Sequence, residues 1–537
     1  MSKRSIIGKL AGTVLLAGCM LAGTMNAYAE EEKVLNVAWG SDMQTMDVHK
    51  TSSNYCIPLV IFDRLFEIQL NDDVSTELVK SLVDDYSISD DGLTYTFKLR
   101  DDVKFSNGTP LTAYDVEYTF TRMLGLDESV QTDFGAAIAG ADELMNDETD
   151  TLSGFEVQDD YNFTVTLSEP FAGFIYQLAT ASCSIMSKDN VEEAGDDFGL
   201  YVDTTVGSGP YILKEWNLGS DLTLEANPDY WGEQPSAQTV HIQIISDPGT
   251  MDLMFQSGEI DILDCDFIDS VIVESTYKTA YEDQIVPSNR LAITYVVMNE
   301  NYEPFSNVDV RKATQMAIDR QRILDEVYNG EGQLEDGIYP HGIIGFNEEN
   351  QGWLQYDPEG AKALLEQAGY ADGFDLELSA DSSASSSVMD ALQYIQQDLE
   401  AVGINAHIET YDEASWLDLR KSGEMQSFIA TWTADFNDPD NFIYTFFGGE
   451  EKTKIRSLNY YDTETMADVV AARAIVDDAE REAEYARLEK KIVQEDAAWI
   501  PMYGRTHLFV INTDKIEHFT PHWAGYSDFS FVGVTMK

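Results

Sequence analysis

Asp91-Gly92-Leu93-Thr94-Tyr95-Thr96-Phe97-Lys98-Leu99-Arg100 runs on through Val103-Lys104-Phe105 to Asn107-Gly108-Thr109-Pro110-Leu111-Thr112-Ala113-Tyr114-Asp115-Val116, and carries three local signals in succession. Asp90-Asp91-Gly92 is a reversal, because glycine takes the positive φ that a tight turn asks for. Thr94 to Leu99 then alternates with period two, the pattern of a strand with one face in a core. Thr112 stands where an N-cap belongs, ahead of a helix containing Asp115 to Arg122 with acid in its first turns, where the helix dipole favours negative charge.

Working outward, Val34-Leu35-Asn36-Val37-Ala38-Trp39 reads as a strand. Asp309 to Val327 places Val310, Ala313, Met316, Ala317, Ile323 and Leu324 at helical spacing. Asp357-Pro358-Glu359 opens another helix that closes at Gly369, with proline where its missing N–H costs least. Good helix formers from Val388 to Val402 stop at Gly403 and give way to a strand at Ile404 to Ile408. Strands and helices alternate without a low-complexity linker or an internal repeat, so the expectation is an α/β fold of interwoven domains.

At 537 residues, 44% hydrophobic and 24% charged, the chain can bury a sizeable core. Its 33 Lys and Arg against 96 Asp and Glu give a net charge of -63. Such a field repels nucleic acid and anionic lipid, and it keeps a protein soluble by self-repulsion. Lys3, Arg4 and Lys9 precede an apolar run from Leu10 to about Met25 and then Ala27-Tyr28-Ala29, an export leader covering residues 1–29. Leu16-Ala17-Gly18-Cys19 also fits a lipobox, which would end the leader before Cys19 and lipidate that cysteine. Both readings put the protein outside the cytoplasmic membrane. Cys56, Cys183 and Cys265 are widely spaced and contain no C-x-x-C pair, so they read as small buried apolar residues.

The long stretch from Asp91 to Val116 resembles the peptide- and nickel-type extracellular solute-binding proteins of family 5. The resemblance extends through Gly207-Ser208-Gly209-Pro210-Tyr211, Asn227-Pro228-Asp229-Tyr230-Trp231-Gly232, Gly258-Glu259-Ile260-Asp261, Val310-Arg311-Lys312-Ala313, Ala317-Ile318-Asp319-Arg320 and Tyr356-Asp357-Pro358-Glu359. These blocks serve the fold: glycine and proline set turns, aromatics fill the core, and Asp115 and Asp319 cap or pair within their own helices. The resemblance implies a two-lobed periplasmic-binding-protein-like α/β fold (type II, cluster C-like) with an extra domain inserted in the first lobe. Lobe I would comprise residues 34–66, 198–296 and 503–537, the inserted domain 67–197 and lobe II 297–502.

The resemblance also implies a site. Thr431-Trp432-Thr433-Ala434-Asp435-Phe436-Asn437-Asp438-Pro439-Asp440-Asn441-Phe442 is similar to the family's ligand loop, whose first aspartate after the tryptophan meets a peptide's α-ammonium. Asp435 is then the amine anchor and Trp432 an apolar wall. Without the family match, Asp435 would be read as capping a turn near Asp438-Pro439. Ile500-Pro501-Met502-Tyr503-Gly504-Arg505 is similar to the return crossing between lobes, which makes Tyr503 a candidate cleft aromatic. Arg505 either forks onto a ligand carboxylate or pairs with a neighbouring acid. Tyr55 is a further candidate for the cleft wall.

No G-x-S-x-G elbow, H-E-x-x-H or Walker loop is present, and the carboxylates are too many to single out a catalytic pair. His518 and His522 are separated by Pro521, which breaks the helix that would align them on a metal. With no such motif standing against it, what the resemblance implies is a monomeric receptor without cofactor, metal or catalysis. It would capture a short peptide and deliver it to the membrane permease subunits of an ABC importer; a sugar or nickel-chelate receptor of the same family is the alternative, and a secreted hydrolase comes last.

Overall fold

A computed structural model describes residues 33–51, 55–71, 76–268, 270–523 and 529–537. The leader and Cys19 lie outside the described residues.

Val34–Trp39 is the parallel centre of a seven-stranded sheet. Across that sheet run Ile285–Asn289, Thr506–Ile511, Ile262–Asp264, Val34–Trp39, Thr239–Ile244, Asp221–Ala226 and Tyr211–Asn217. Leu35 and Val37 alternate into its core, as the period-two pattern requires. Gly207 and Gly209 let the next turn press onto the backbone of Ile61: a Cβ at Gly207 would stand 2.1 Å from that carbonyl oxygen. This is a packing reason for a block that sequence similarity alone marks as important.

Thr94–Leu99 lies inside a separate four-stranded antiparallel sheet, between Val83–Ile88 and Asn162–Thr166, with Phe155–Asp159 outermost. Tyr95, Phe97 and Leu99 point into its core. The turn before it has Gly92 at φ +69°. The helix Ala113–Gly125 follows, and Asp115 accepts hydrogen bonds from the backbone N–H and hydroxyl of Thr112 at 2.9 and 3.0 Å. These are the caps the sequence announces.

A third sheet orders Gln333–Leu334, Trp499–Gly504, Ala292–Val297 and Ile429–Thr433, which leaves Ile429–Thr433 at its edge. Beside it, parallel strands Phe374–Asp381 and Ile404–Tyr411 flank the helix Ser386–Ala401. The expected helical run from Asp309 to Val327 is divided into Val308–Ala317 and Arg320–Tyr328. Asp319 caps the second by accepting from the Arg322 N–H at 3.0 Å, while Arg320 turns inward to Asp336 at 2.7 Å and to three backbone carbonyls. Anchoring a buried guanidinium outweighs continuing the helix.

The seven-stranded and third sheets meet at two crossings. The chain passes from Ile285–Asn289 to Ala292–Val297 through Arg290 and Leu291, and returns from Trp499–Gly504 to Thr506–Ile511 through Arg505 alone. Val296 and Tyr503, the expected crossing points, therefore sit inside strands of the third sheet. Cys183 and Cys265 are buried, and Cys56 is half-buried against expectation.

Candidate functional site

Antiparallel pairing with Ala292–Val297 holds Ile429–Thr433 and sets Trp432 opposite Ile293. After the strand the chain turns at Asp435 and Asn437 and enters the helix Asp440–Phe447. One residue of that helix, Asn441, fixes the turn. Its Oδ1 accepts from the Asp435 N–H at 3.0 Å and from Trp432 Nε1 at 3.3 Å, and its Nδ2 donates to Asp435 Oδ2 at 3.0 Å. Trp432 also meets Phe446 edge to face, with ring centres 5.4 Å apart.

The turn-capping role open to Asp435 from sequence is taken by Asp438, whose carboxylate accepts from the Asp440 N–H at 2.8 Å. Asp438 is further tied to Arg481 at 2.5 Å, and Asp440 to Arg473 at 3.1 Å, all buried or nearly so. Asn437 reaches Thr76 Oγ1 at 2.5 Å and accepts from the Ile344 N–H at 2.9 Å. The loop is thus braced on every side.

Asp435, Trp432 and Tyr55 line one cavity of about 570 Å³, within the range of small-ligand sites. Burial raises the Asp435 carboxyl above its usual range; the Asn441 hydrogen bond and Arg456 act against this, and Asp133 adds to it. Tyr55 donates to the Thr51 carbonyl at 2.8 Å and accepts from Gln131 Nε2 at 2.6 Å, while Gln131 accepts from Ser182 at 3.0 Å. Burial pushes the Tyr55 hydroxyl up to about 12, so it stays protonated as a fixed part of the wall.

Two other candidates lie elsewhere. Tyr503 is fully buried, its ring 5.3 Å from that of Tyr328, and it lines neither this cavity nor the next. The whole Trp499–Gly504 strand is buried, so Tyr503 faces the core instead of the cleft. Arg505 lines a second cavity of about 580 Å³, shared with Asp266, Tyr328, Ser385 and Thr431. It reaches Asp266 at 3.7 Å and lies 4.8 Å over the Tyr328 ring. Asp266 also meets Arg290 at 3.5 Å, so one carboxylate touches the arginines of both crossings. His507 stands between Asp264 at 2.6 Å and Asp266 at 3.0 Å. Burial alone would lower its pKa, but the two carboxylates outweigh it and carry the ring up to about 9. Among the described residues this is the one acid–histidine group with metal-like spacing, and both ring nitrogens already face carboxylates.

Sequence reasoning missed Asn441, Gln131, Ser182, Lys452, Arg456 and Arg473, all of which line the first cavity or hold its wall. A signal for the cations was present: with 33 basic residues in the chain, a Lys452 and Arg456 at i, i+4 soon after the ligand loop are conspicuous.

The sequence model of the bacterial extracellular solute-binding proteins, family 5 Middle, matches residues 77–454, more than half of the chain. The protein belongs to this family. Among curated relatives, the probable D,D-dipeptide-binding periplasmic protein DdpA of Escherichia coli K12 is 28% identical over 93% of this chain and 94% of its own length. Heme-binding protein A of Haemophilus influenzae is 27% identical over 89% and 87%. Among solved structures, DppA from Helicobacter pylori in complex with the peptide STSA gives a TM-score of 0.70 at 26% identity, covering 94% of this chain and 98% of that one. The unliganded open form of the periplasmic murein tripeptide binding protein MppA gives 0.81 at 21% identity, with the same coverages. This solute-binding protein accordingly has the two-lobed α/β fold of those neighbours.

Proposed function

We propose that this solute-binding protein captures short peptides outside the cytoplasmic membrane and hands them to the permease subunits of an ABC importer. The observation that carries the reading is the placement of Asp435: half-buried, held by Asn441 beside Trp432, and raised in pKa at a cavity wall. A carboxylate kept there at a desolvation cost is matched by a ligand ammonium. The Ile429–Thr433 strand supports the same reading, since an edge strand offers main-chain groups that an extended peptide can pair with.

In this mechanism the peptide's amine docks on Asp435 and its first side chain lies along Trp432. The lobes then rotate about Arg290-Leu291 and Arg505, and the closed form, favoured by ligand contacts, is what the permease recognises. We assign the seven-stranded sheet to lobe I, the Val83–Ile88 to Asn162–Thr166 region to the inserted domain, and the third sheet to lobe II. The receptor works as a monomer without catalysis, freed from its leader after Ala29 or anchored through Cys19.

Native mass spectrometry of the purified protein, followed by gentle denaturation, tests the reading. A ladder of co-purified short peptides is expected. A sugar, a metal chelate or no ligand would overturn it.

A further inference from the structure

The first cavity contains more basic side chains than an amine site needs. Lys452, Arg456 and Arg473 all line it, in a chain where acids outnumber bases 96 to 33. Arg473 is engaged by Asp440 and sits between the rings of Tyr444 and Phe171, at 3.9 and 4.2 Å. Lys452 and Arg456 are different: among the described residues neither makes an ion pair. Lys452 Nζ lies 4.4 Å over the Tyr444 ring. Arg456 lies 5.0 Å over Phe446 and 5.6 Å over Trp432, and donates to the Lys452 carbonyl at 3.2 Å.

An unpaired cation at a surface is unremarkable, but these two are half-buried against aromatic faces on the wall that carries Trp432. Burial lowers the pKa of both; Arg456 and Arg473 lower that of Lys452 further and Arg420 that of Arg456, while Asp133 and Asp440 act the other way on Lys452 and Tyr295 and Asp435 on Arg456. Closure of a cleft would remove more water and increase that cost. The acids lining the same cavity are Asp435 and Asp440, already assigned, and Asp133 and Glu169, which are exposed at its rim. An anion arriving with the ligand would give Lys452 and Arg456 the direct ionic partner that neither has among the described residues.

We propose, on the reading that a peptide amine sits at Asp435, that Lys452 and Arg456 form a carboxylate subsite, so that this receptor selects ligands carrying a carboxylate within about one residue of the free ammonium. Two ligand sources supply this chemistry: an acidic first side chain in a longer peptide, or the terminal carboxylate of a dipeptide. The subsite is separate from Arg505, which lies in the second cavity and pairs with Asp266.

Calorimetric titration of the wild-type receptor with Glu-Ala-Ala-Ala, Gln-Ala-Ala-Ala, Ala-Ala and Ala-Ala amide separates the cases. The Glu-first tetrapeptide is expected to bind about tenfold or more tighter than its Gln twin if the side chain is the source, and Ala-Ala to exceed its amide by as much if the terminus is. In the K452M/R456M variant the favoured ratio falls toward one. Equal binding within both wild-type pairs, or a ratio untouched by the double substitution, overturns the subsite while leaving peptide capture standing. Binding of none of the four overturns the peptide reading itself.

Discussion

Consecutive residues of one edge strand line two cavities of similar volume, and the two differ in how they treat charge. Around the cavity shared by Ile429, Ala430 and Thr431, each charge has a partner: Arg505 and Arg290 on Asp266, Lys278 on Glu274 and Glu331, His507 between Asp264 and Asp266. Around the cavity walled by Trp432, Asp435 hydrogen-bonds the Asn441 amide, Asp440 pairs with Arg473, and among the described residues Lys452 and Arg456 lie on aromatic rings without an ion pair. Charges satisfied within the chain are structure. Half-buried charges at a cavity wall, such as Lys452 and Arg456, are where the proposed ligand would complete the set.

Substitutions that move a charge from one class to the other break or sharpen this contrast. The largest effect is expected under the Trp432 cavity, where the Arg481–Asp438 pair is 5% and 0% exposed. Arg481→Met strands a buried carboxylate and should cost about 3–5 kcal/mol in denaturant unfolding. A loss below 1 kcal/mol would mean that the loop is not braced by its ion pairs.

Next comes Asp435→Asn, which keeps the shape and removes the charge. It should weaken peptide binding by about 2–4 kcal/mol in calorimetry while unfolding stays near that of the parent. Because burial has already raised this carboxyl, wild-type affinity should also fall as the solution is acidified and Asp435 takes up a proton, and the Asn variant should lose that slope.

The second cavity gives a stability effect instead. His507 is raised from 6.5 to about 9, so its contribution is complete below pH 6.5 and is lost as pH rises through 9. Thermal melts of the parent should therefore decline over that window by roughly 2–3 kcal/mol, and His507→Asn should flatten the decline. The smallest change belongs to Arg505→Ala, which removes a partly exposed pair and should alter peptide affinity by less than about 1 kcal/mol. A tenfold loss there would make the second cavity part of the ligand site.

Local signals in the sequence proved readable where the chain satisfies itself: the Gly92 turn, the Thr112 and Asp357 caps, and the strand and helix from Val388 to Ile408 all form from adjacent residues. Asp435 and Trp432, singled out through the family's loop, line one cavity, and Tyr55, which offered little signal, lines it too. Tyr503 was misread because Trp499–Gly504 is buried on both faces, so no alternation distinguishes a cleft side from a core side. The helix break at Ile318 and Asp319 follows from Arg320 binding partners far away in sequence, which periodicity does not register. Gln131, Ser182 and Lys452 come to one wall from distant parts of the chain by tertiary packing alone.

The proposed function turns on a peptide's free amine meeting Asp435. Calorimetric titration of one short peptide and its N-acetyl counterpart tests this most directly, since acetylation removes the ammonium and little else. The account predicts that acetylation weakens binding by at least about 2 kcal/mol, with both forms near the same low affinity in Asp435→Asn. Equal, tight binding of the free and acetylated peptides by the wild-type protein would contradict it.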